Sequence, residues 1–226
     1  MPVFWLTPDM IEFPPAESAS EDGILAIGGD LSPERILSAY RQGIFPWFNL
    51  DDPILWWSPD PRFVLYPGEL KLSRSMRPYF NQQKFEVTYD LHFEAVIRGC
   101  QEPRVAGWGN TWITESMAEA YCRLYDLGYA HSVEVWQNGS LAGGLYGIAL
   151  GKCFFGESMF TKVSNASKFG FISLTQHLKE EGFELIDCQQ QTKHLASLGA
   201  RSIPRKEFLA FLKKNEENIT MLGHWY

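Results

Sequence analysis

Residues 130–203 read AHSVEVWQNGSLAGGLYGIALGKCFFGESMFTKVSNASKFGFISLTQHLKEEGFELIDCQQQTKHLASLGARSI, and the order of elements in this stretch decides the fold. From His131 to Gln137 apolar and polar residues alternate, as in a half-buried strand. Asn138-Gly139 is a strong signal for a type I′ hairpin turn, because both central positions need a positive φ. The chain returns over residues 141–149, interrupted by Gly143-Gly144, and residues 152–160 supply the next strand. A long helix is predicted over residues 165–181, stopped at Gly182. Leu185-Ile186-Asp187-Cys188-Gln189 reads as a buried strand, residues 192–198 as a short helix ended by Gly199, and a last helix starts near Arg205.

Hairpin, strand, helix, strand, helix, strand is the order of an acyltransferase fold of the acetyltransferase (GNAT) type, an analogy that says little about chemistry. Upstream, residues 63–67 form a short strand, 73–82 suit a helix, and KFEVTYD alternates as a strand. Thr114 caps a helix running to Leu127, with Met117, Tyr121 and Leu124 on one side and Gly128 as its stop. Residues 1–62 are rich in Pro, Trp and Phe and read as an irregular aromatic module with one helix. Ser32 caps that helix, Pro33 opens it, Ile36, Leu37 and Tyr40 form its apolar face, and Gly43 ends it. The expected class is α+β: a small amino-terminal domain over residues 1–62 and a GNAT-like acyltransferase domain over 63–226, with a mixed, mainly antiparallel sheet.

The whole chain has 226 residues, 45% hydrophobic and 21% charged, which excludes disorder as its main state. No stretch approaches the roughly 18 apolar residues of a membrane helix, and the amino-terminus lacks the zones of a signal peptide, so a soluble, cytoplasmic protein is expected. Cys100, Cys122, Cys153 and Cys188 are widely spaced without C-x-x-C pairs and read as buried thiols rather than a metal or disulfide framework. Net charge is −7, but residues 1–34 hold seven acids and no Lys or Arg, leaving 20 basic against 20 acidic residues over 35–226. Lys71, Arg74, Arg77 and Lys84 lie together without an intervening acid, beside Tyr79 and Phe80. That patch permits a nucleic-acid backbone; the plainer reading is a solvated basic face.

For an acetyltransferase, the turn after Phe160 should carry glycines whose N–H groups face a diphosphate. Here it reads Thr161-Lys162-Val163-Ser164-Asn165-Ala166-Ser167-Lys168, without glycine, so acetyl-coenzyme A is an unsuitable donor. Aromatic clusters at Phe45-Pro46-Trp47-Phe48, Trp56-Trp57 and Thr111-Trp112-Ile113-Thr114 offer rings on which a nucleobase could stack; the plainer reading is that they join two domains. Glu157 and Asp187 stand in otherwise apolar strands, with Asp187 and Gln189 on one face by alternation. A buried carboxylate needs a partner or a purpose, and His131 or Arg123 are candidate partners for Asp187. A glycosidase pair lacks a sugar platform, and a Ser–His–Asp site lacks any nucleophile motif.

In order along residues 23–205, GILAIGGDLSPERILSAYRQGIFPWF, DPILWWSPDPR, TWIT, HSVEVW, GGLYGIA, GESMF, NASK, LIDCQ and HLASLGA together resemble the leucyl/phenylalanyl-tRNA–protein transferase family. Each segment is weak alone, and the ordered set is specific. The resemblance implies an enzyme that moves Leu or Phe, and less readily Met, from aminoacyl-tRNA to an acceptor protein bearing an amino-terminal Arg or Lys. The product would be an N-degron for bacterial proteolysis. It also implies that Trp47 and Trp112, with Tyr40 and Tyr121, lie at the 3′-terminal adenosine. Leu145, Phe154, Glu157, Met159, Leu174 and Ile186 would form the aminoacyl pocket, Asp187 and Gln189 would serve catalysis with Glu157, and Arg74, Arg77 and Lys84 would meet the acceptor stem.

An aminoacyl ester is already activated, so aminolysis needs no cofactor or metal. The obstacles are the charge on the acceptor amine and the entropy of bringing two ends together. The expected mechanism has Asp187 orienting Gln189, whose amide oxygen accepts a hydrogen bond from the attacking amine, while Glu157 positions the donor. Net proton removal passes through Asp187, water or the departing ribose hydroxyl. The rivals are a non-catalytic module that binds charged tRNA or peptide amino-termini, and an ordinary N-acetyltransferase. A monomer is the default expectation.

Overall fold

The structure, a computed structural model, describes residues 3–102 and 113–226. A four-stranded sheet is built from β1 (Phe4–Leu6), β2 (Ile24–Gly28), β3 (Phe45–Pro46) and β4 (Leu55–Trp57), in the order β1-β2-β4-β3. This corrects the expectation of an irregular module. Its strands are two to five residues long and carry Pro, Trp and Gly, too short to display alternation. The helix α1 (Pro33–Arg41) begins after Ser32 as expected, but the Ser32 hydroxyl makes no cap. Its backbone N–H instead donates to Asp30 Oδ1 at 2.8 Å.

The larger sheet has seven strands, β5 (Arg62–Leu65), β6 (Glu86–Tyr89), β7 (Ala130–Gln137), β8 (Ser140–Leu150), β9 (Cys153–Thr161), β10 (Leu185–Asp187) and β11 (Arg201–Ile203). They lie in the order β11-β5-β10-β9-β8-β7-β6. Only β9 and β10 pair in parallel, so the sheet is mixed and mainly antiparallel, and the molecule is α+β. The hairpin turn is the predicted one, with φ of 51° at Asn138 and 73° at Gly139. The helices are α2 (Arg77–Asn81), shorter than the predicted 73–82, then α3 (Phe93–Gln101), α4 (Glu115–Asp126), α5 (Ala166–Glu180), α6 (Lys193–Ser197) and α7 (Arg205–Asn215). Thr114 caps α4, its hydroxyl accepting from Met117 N–H at 3.2 Å. Among the described residues no helix is long and apolar enough to cross a membrane.

Two apolar cores sandwich the large sheet. One is shared by the small sheet, α1, α3 and α4, and holds Tyr40, Trp56, Tyr121, Tyr146 and Phe155. The other lies under α5 and holds Leu145, Phe154, Ile172, Leu174 and Ile186. Along β9 the alternation changes phase. Phe155 belongs to the first core, and Met159, an even number of residues later, packs against the second. The cause is a β-bulge: Tyr146 pairs with Ser158 and its neighbour Gly147 with Gly156, leaving Glu157 as the extra residue.

Candidate active site

β9 and β10 run side by side only as far as Phe155 and Asp187. Beyond that level β10 ends, while β9 continues through Glu157 to Thr161. The fork between them opens a cavity of about 720 Å³, within the size range of small-molecule sites. One wall is apolar, from Leu145, Phe154, Met159, Phe171 and Leu195. Glu157, Gln189 and Thr192 supply polar groups, and Phe45 and Trp47 from the small sheet stand at the cavity with them. Trp47 is 36% exposed, its ring 5.3 Å from that of Trp57.

Asp187 has no exposed surface and is held by Arg62, which opens β5 and is equally buried. Arg62 Nε donates to Asp187 Oδ1 at 2.8 Å and Nη2 to Oδ2 at 2.5 Å, a two-pronged, charge-assisted pair. The third arm, Nη1, donates to the Gly43 carbonyl at 3.1 Å, and the guanidinium lies between the rings of Phe45 and Phe208, 4.7 and 4.6 Å from their centroids. The expected partners His131 and Arg123 are elsewhere: His131 Nδ1 is 2.8 Å from Asp90, and Arg123 is exposed. Arg62 is the functional residue that the sequence reading missed. The available signal was an arginine heading the apolar run RFVL, as much in need of a partner as the aspartate in LID.

The structure brings Asp187 and Gln189 together, though not along one strand face. Gln189 lies past the end of β10 with φ of 60°, and its backbone N–H donates to Asp187 Oδ1 at 2.9 Å. A left-handed conformation at a residue with a side chain is a local strain that surrounding bonds must hold. The Gln189 side chain turns toward β9 and donates from Nε2 to Glu157 Oε1 at 3.0 Å.

Glu157 is also bonded from behind, Tyr40 donating to Oε1 at 2.6 Å and Tyr121 to Oε2 at 2.8 Å. Burial pushes its pKa up to about 7, against the phenol hydrogen bonds, which pull it down; Asp187 adds to the rise and Arg62 opposes it. The phenols of Tyr40 and Tyr121 are raised well above their ordinary range by burial first and by the Glu157 charge second.

Of the expected pocket residues, Leu145, Phe154, Glu157 and Met159 line the cavity. Leu174 and Ile186 are fully buried in the core that also holds Leu145 and Phe154, so they back the wall rather than face the cavity. Phe171 and Leu195 take their place. Tyr40 and Tyr121, expected beside an adenosine, have 0% exposure and sit behind Glu157, so no base can stack on them in this arrangement. Trp112 lies outside the described residues. Arg74, Arg77 and Lys84 are exposed around α2, and Lys84 Nζ stands 4.9 Å from the Tyr79 ring centroid.

Comparison with known proteins decides the family. Residues 64–213 match the leucyl/phenylalanyl-tRNA protein transferase family and residues 29–60 match its amino-terminal domain. A relative described as leucyl/phenylalanyl-tRNA–protein transferase from Syntrophus aciditrophicus (strain SB) is 57% identical over 216 residues, 96% of this chain and 90% of the relative. The chain belongs to this family. Another such transferase, from Pseudomonas fluorescens (strain Pf0-1), is 56% identical over 213 residues, 93% of this chain and 94% of that one. The protein is therefore an aminoacyl-tRNA–protein transferase enzyme. Among solved structures, a GCN5-related N-acetyltransferase from Kribbella flavida superposes with a TM-score of 0.37 at 10% identity, over 75% of this chain and 60% of that one. At that distance it carries no argument about function.

Proposed function

We propose that this transferase takes Leu or Phe, and less readily Met, from aminoacyl-tRNA and joins it to the amino-terminal Arg or Lys of acceptor proteins, acting as a monomer in the cytoplasm. The product is an N-degron for bacterial proteolysis. The observation that carries this reading is the forked cavity, apolar along Leu145, Phe154 and Met159 and polar at Glu157 and Gln189. An aminoacyl side chain lodges against the apolar wall and its ester carbonyl lies toward the polar end. An apolar pocket separates side chains by roughly 1–3 kcal/mol per methylene, which rejects small residues and discriminates weakly between Leu and Met.

Gln189 is placed to receive the acceptor amine. With Nε2 committed to Glu157, its carbonyl oxygen is the free end of the amide and accepts a hydrogen bond from the attacking nitrogen. Asp187 acts on the backbone, holding the turn that presents Gln189. Both Asp187 oxygens are engaged by Arg62, which argues against Asp187 as the group that takes the amine's proton. Positioning then supplies most of the rate, as suits an ester that is already activated. Trp47 offers a face for the terminal adenosine, with Trp112 retained from the family pattern. Arg74, Arg77 and Lys84 meet acceptor-stem phosphates, which carry no sequence information and so admit several tRNAs.

The test is to incubate the protein with labelled Phe-tRNA and an Arg-initiated peptide, and in parallel with labelled acetyl-coenzyme A. Label in the peptide from the tRNA arm alone is expected. Label from acetyl-coenzyme A selects an acetyltransferase, and binding without transfer selects a recognition module. Asp187→Ala should lose transfer while still binding aminoacyl-tRNA; unchanged turnover removes Asp187 from the mechanism.

A further inference from the structure

Three oxygen-bearing groups behind the cavity stand within hydrogen-bond distance of one another in a closed triangle. Tyr40 is 2.6 Å from Glu157 Oε1, Tyr121 is 2.8 Å from Glu157 Oε2, and the two phenol oxygens are 2.7 Å apart. Each phenol has one hydrogen. If both donate to Glu157, as an ionised carboxylate requires, the approach of Tyr40 to Tyr121 has no hydrogen in it and sets lone pair against lone pair. Both tyrosines have 0% exposure. A third proton on Glu157 resolves the count: the carboxyl donates to one phenol, that phenol to the other, and the second phenol back to the free carboxyl oxygen. The Gln189 amide still donates to Oε1 in this arrangement.

We propose that Glu157 is a neutral carboxylic acid in the resting enzyme, closed into a hydrogen-bonded ring with Tyr40 and Tyr121, and that it gives its proton to the ribose oxygen as the aminoacyl ester breaks. The second clause rests on the transferase reading above. In the step, the acceptor nitrogen bonds to the ester carbonyl carbon and the bond from that carbon to the ribose oxygen breaks with its electron pair going to oxygen. Glu157 supplies the proton that oxygen takes. The nitrogen, now an amide, gives up one proton past Gln189 to the Glu157 carboxylate, so the ring is restored and no proton is consumed. Tyr40 and Tyr121 are positioning residues, holding the proton on the carboxyl until the leaving group develops charge.

The charged and titratable groups facing Glu157 are Tyr40 on α1, Tyr121 on α4, Tyr146 on β8, Asp187 on β10 and Arg62 on β5. Asp187 and Arg62 neutralise each other, so neither supplies Glu157 with a dedicated counter-charge. The rise of its pKa to about 7 through burial agrees with the count of hydrogens.

Infrared difference spectroscopy on the full-length, tRNA-free protein tests the proton directly. At about pH 6, where ordinary glutamates are ionised, wild type minus Glu157→Gln should show a protonated carboxyl carbonyl band. In Tyr121→Phe that band should move to higher frequency, since the carbonyl loses a donor. Should Glu157→Gln fail to fold, titration of the band in wild type alone, with a midpoint near neutrality, is the equivalent observation. A difference confined to carboxylate bands, or no band titrating near neutrality, overturns the proposal. For delivery, folded Glu157→Gln should lower kcat by a hundredfold or more at unchanged KM for Phe-tRNA, the scale of a lost general acid. An unchanged kcat overturns delivery while the band still stands. If wild type moves no label from Phe-tRNA to peptide, the transferase reading falls with delivery, and the infrared band alone decides where the proton is.

Discussion

Replacing Arg62 with Met keeps most of the length of the side chain and removes its charge. In the native protein the guanidinium and the Asp187 carboxylate are both fully buried and joined by two short bonds. Arg62→Met leaves that carboxylate with the Gln189 N–H as its remaining partner among the described contacts. Removing one member of a buried pair costs about 3–5 kcal/mol, mostly from the charge left behind. Against a typical domain stability of about 5–15 kcal/mol, the variant should fold but with a much lower denaturation midpoint. The assay is urea denaturation of wild type, Arg62→Met, and Arg62→Met combined with Asp187→Asn. The double variant removes the orphaned charge and should recover at least half of the loss. A cost below about 1 kcal/mol in the single variant would refute the reading of the pair as a buried, mutually dependent unit. A double variant no more stable than the single would assign the loss to packing between Phe45 and Phe208.

Three more outcomes follow from the geometry. Because the Glu157 pKa rises in the folded state from 4.5 to about 7, the native protein binds more protons than the unfolded chain between those values. Stability should therefore fall as pH rises through that window, by about 3 kcal/mol in total, and denaturation curves of wild type and Glu157→Gln should diverge across it; parallel curves contradict the shift. Arg74→Ala and Lys84→Ala should each weaken tRNA binding and reduce the slope of log affinity against log salt by about one, read from filter binding at several salt concentrations; unchanged slopes remove them from the phosphate contact. A Cβ at Gly147 would stand 2.2 Å from the Phe155 carbonyl and 2.5 Å from the Phe154 ring. Gly147→Ala should cost about 1–3 kcal/mol and change the ratio of kcat/KM for Leu-tRNA and Phe-tRNA, because Phe154 lines the cavity.

The features legible in the sequence are those whose physics is local. Asn138-Gly139 sets its turn through two positive φ values, Thr114 caps α4 through its own hydroxyl, and α5 runs to the glycine that ends it. Alternation correctly marks Asp187 as buried but fails at Gln189, because two residues on the backbone has turned left-handed. The small sheet escapes notice since strands of two to five residues hold too few positions for a period to appear. Helix α3, with glycine and cysteine near its end, is likewise absent from the reading. For the site, the carboxylates are conspicuous as charges in apolar strands. Their partners are not: Arg62 is 125 residues from Asp187, and Tyr40 is 117 from Glu157. Such pairings become visible only when the order of strands is known.

The single surplus residue in β9 has a consequence for how this chain tolerates change in length. Removing one amino acid between Gly156 and Ser158 would straighten the strand and exchange the facings of everything after it. Met159 would leave the cavity for the tyrosine side, and Phe160 would enter in its stead. The hairpin tip at Asn138-Gly139 opens to solvent and could absorb an insertion with little disturbance. Anyone transplanting the cavity onto another sheet must carry the odd residue across with it, or every later side chain will arrive on the wrong side.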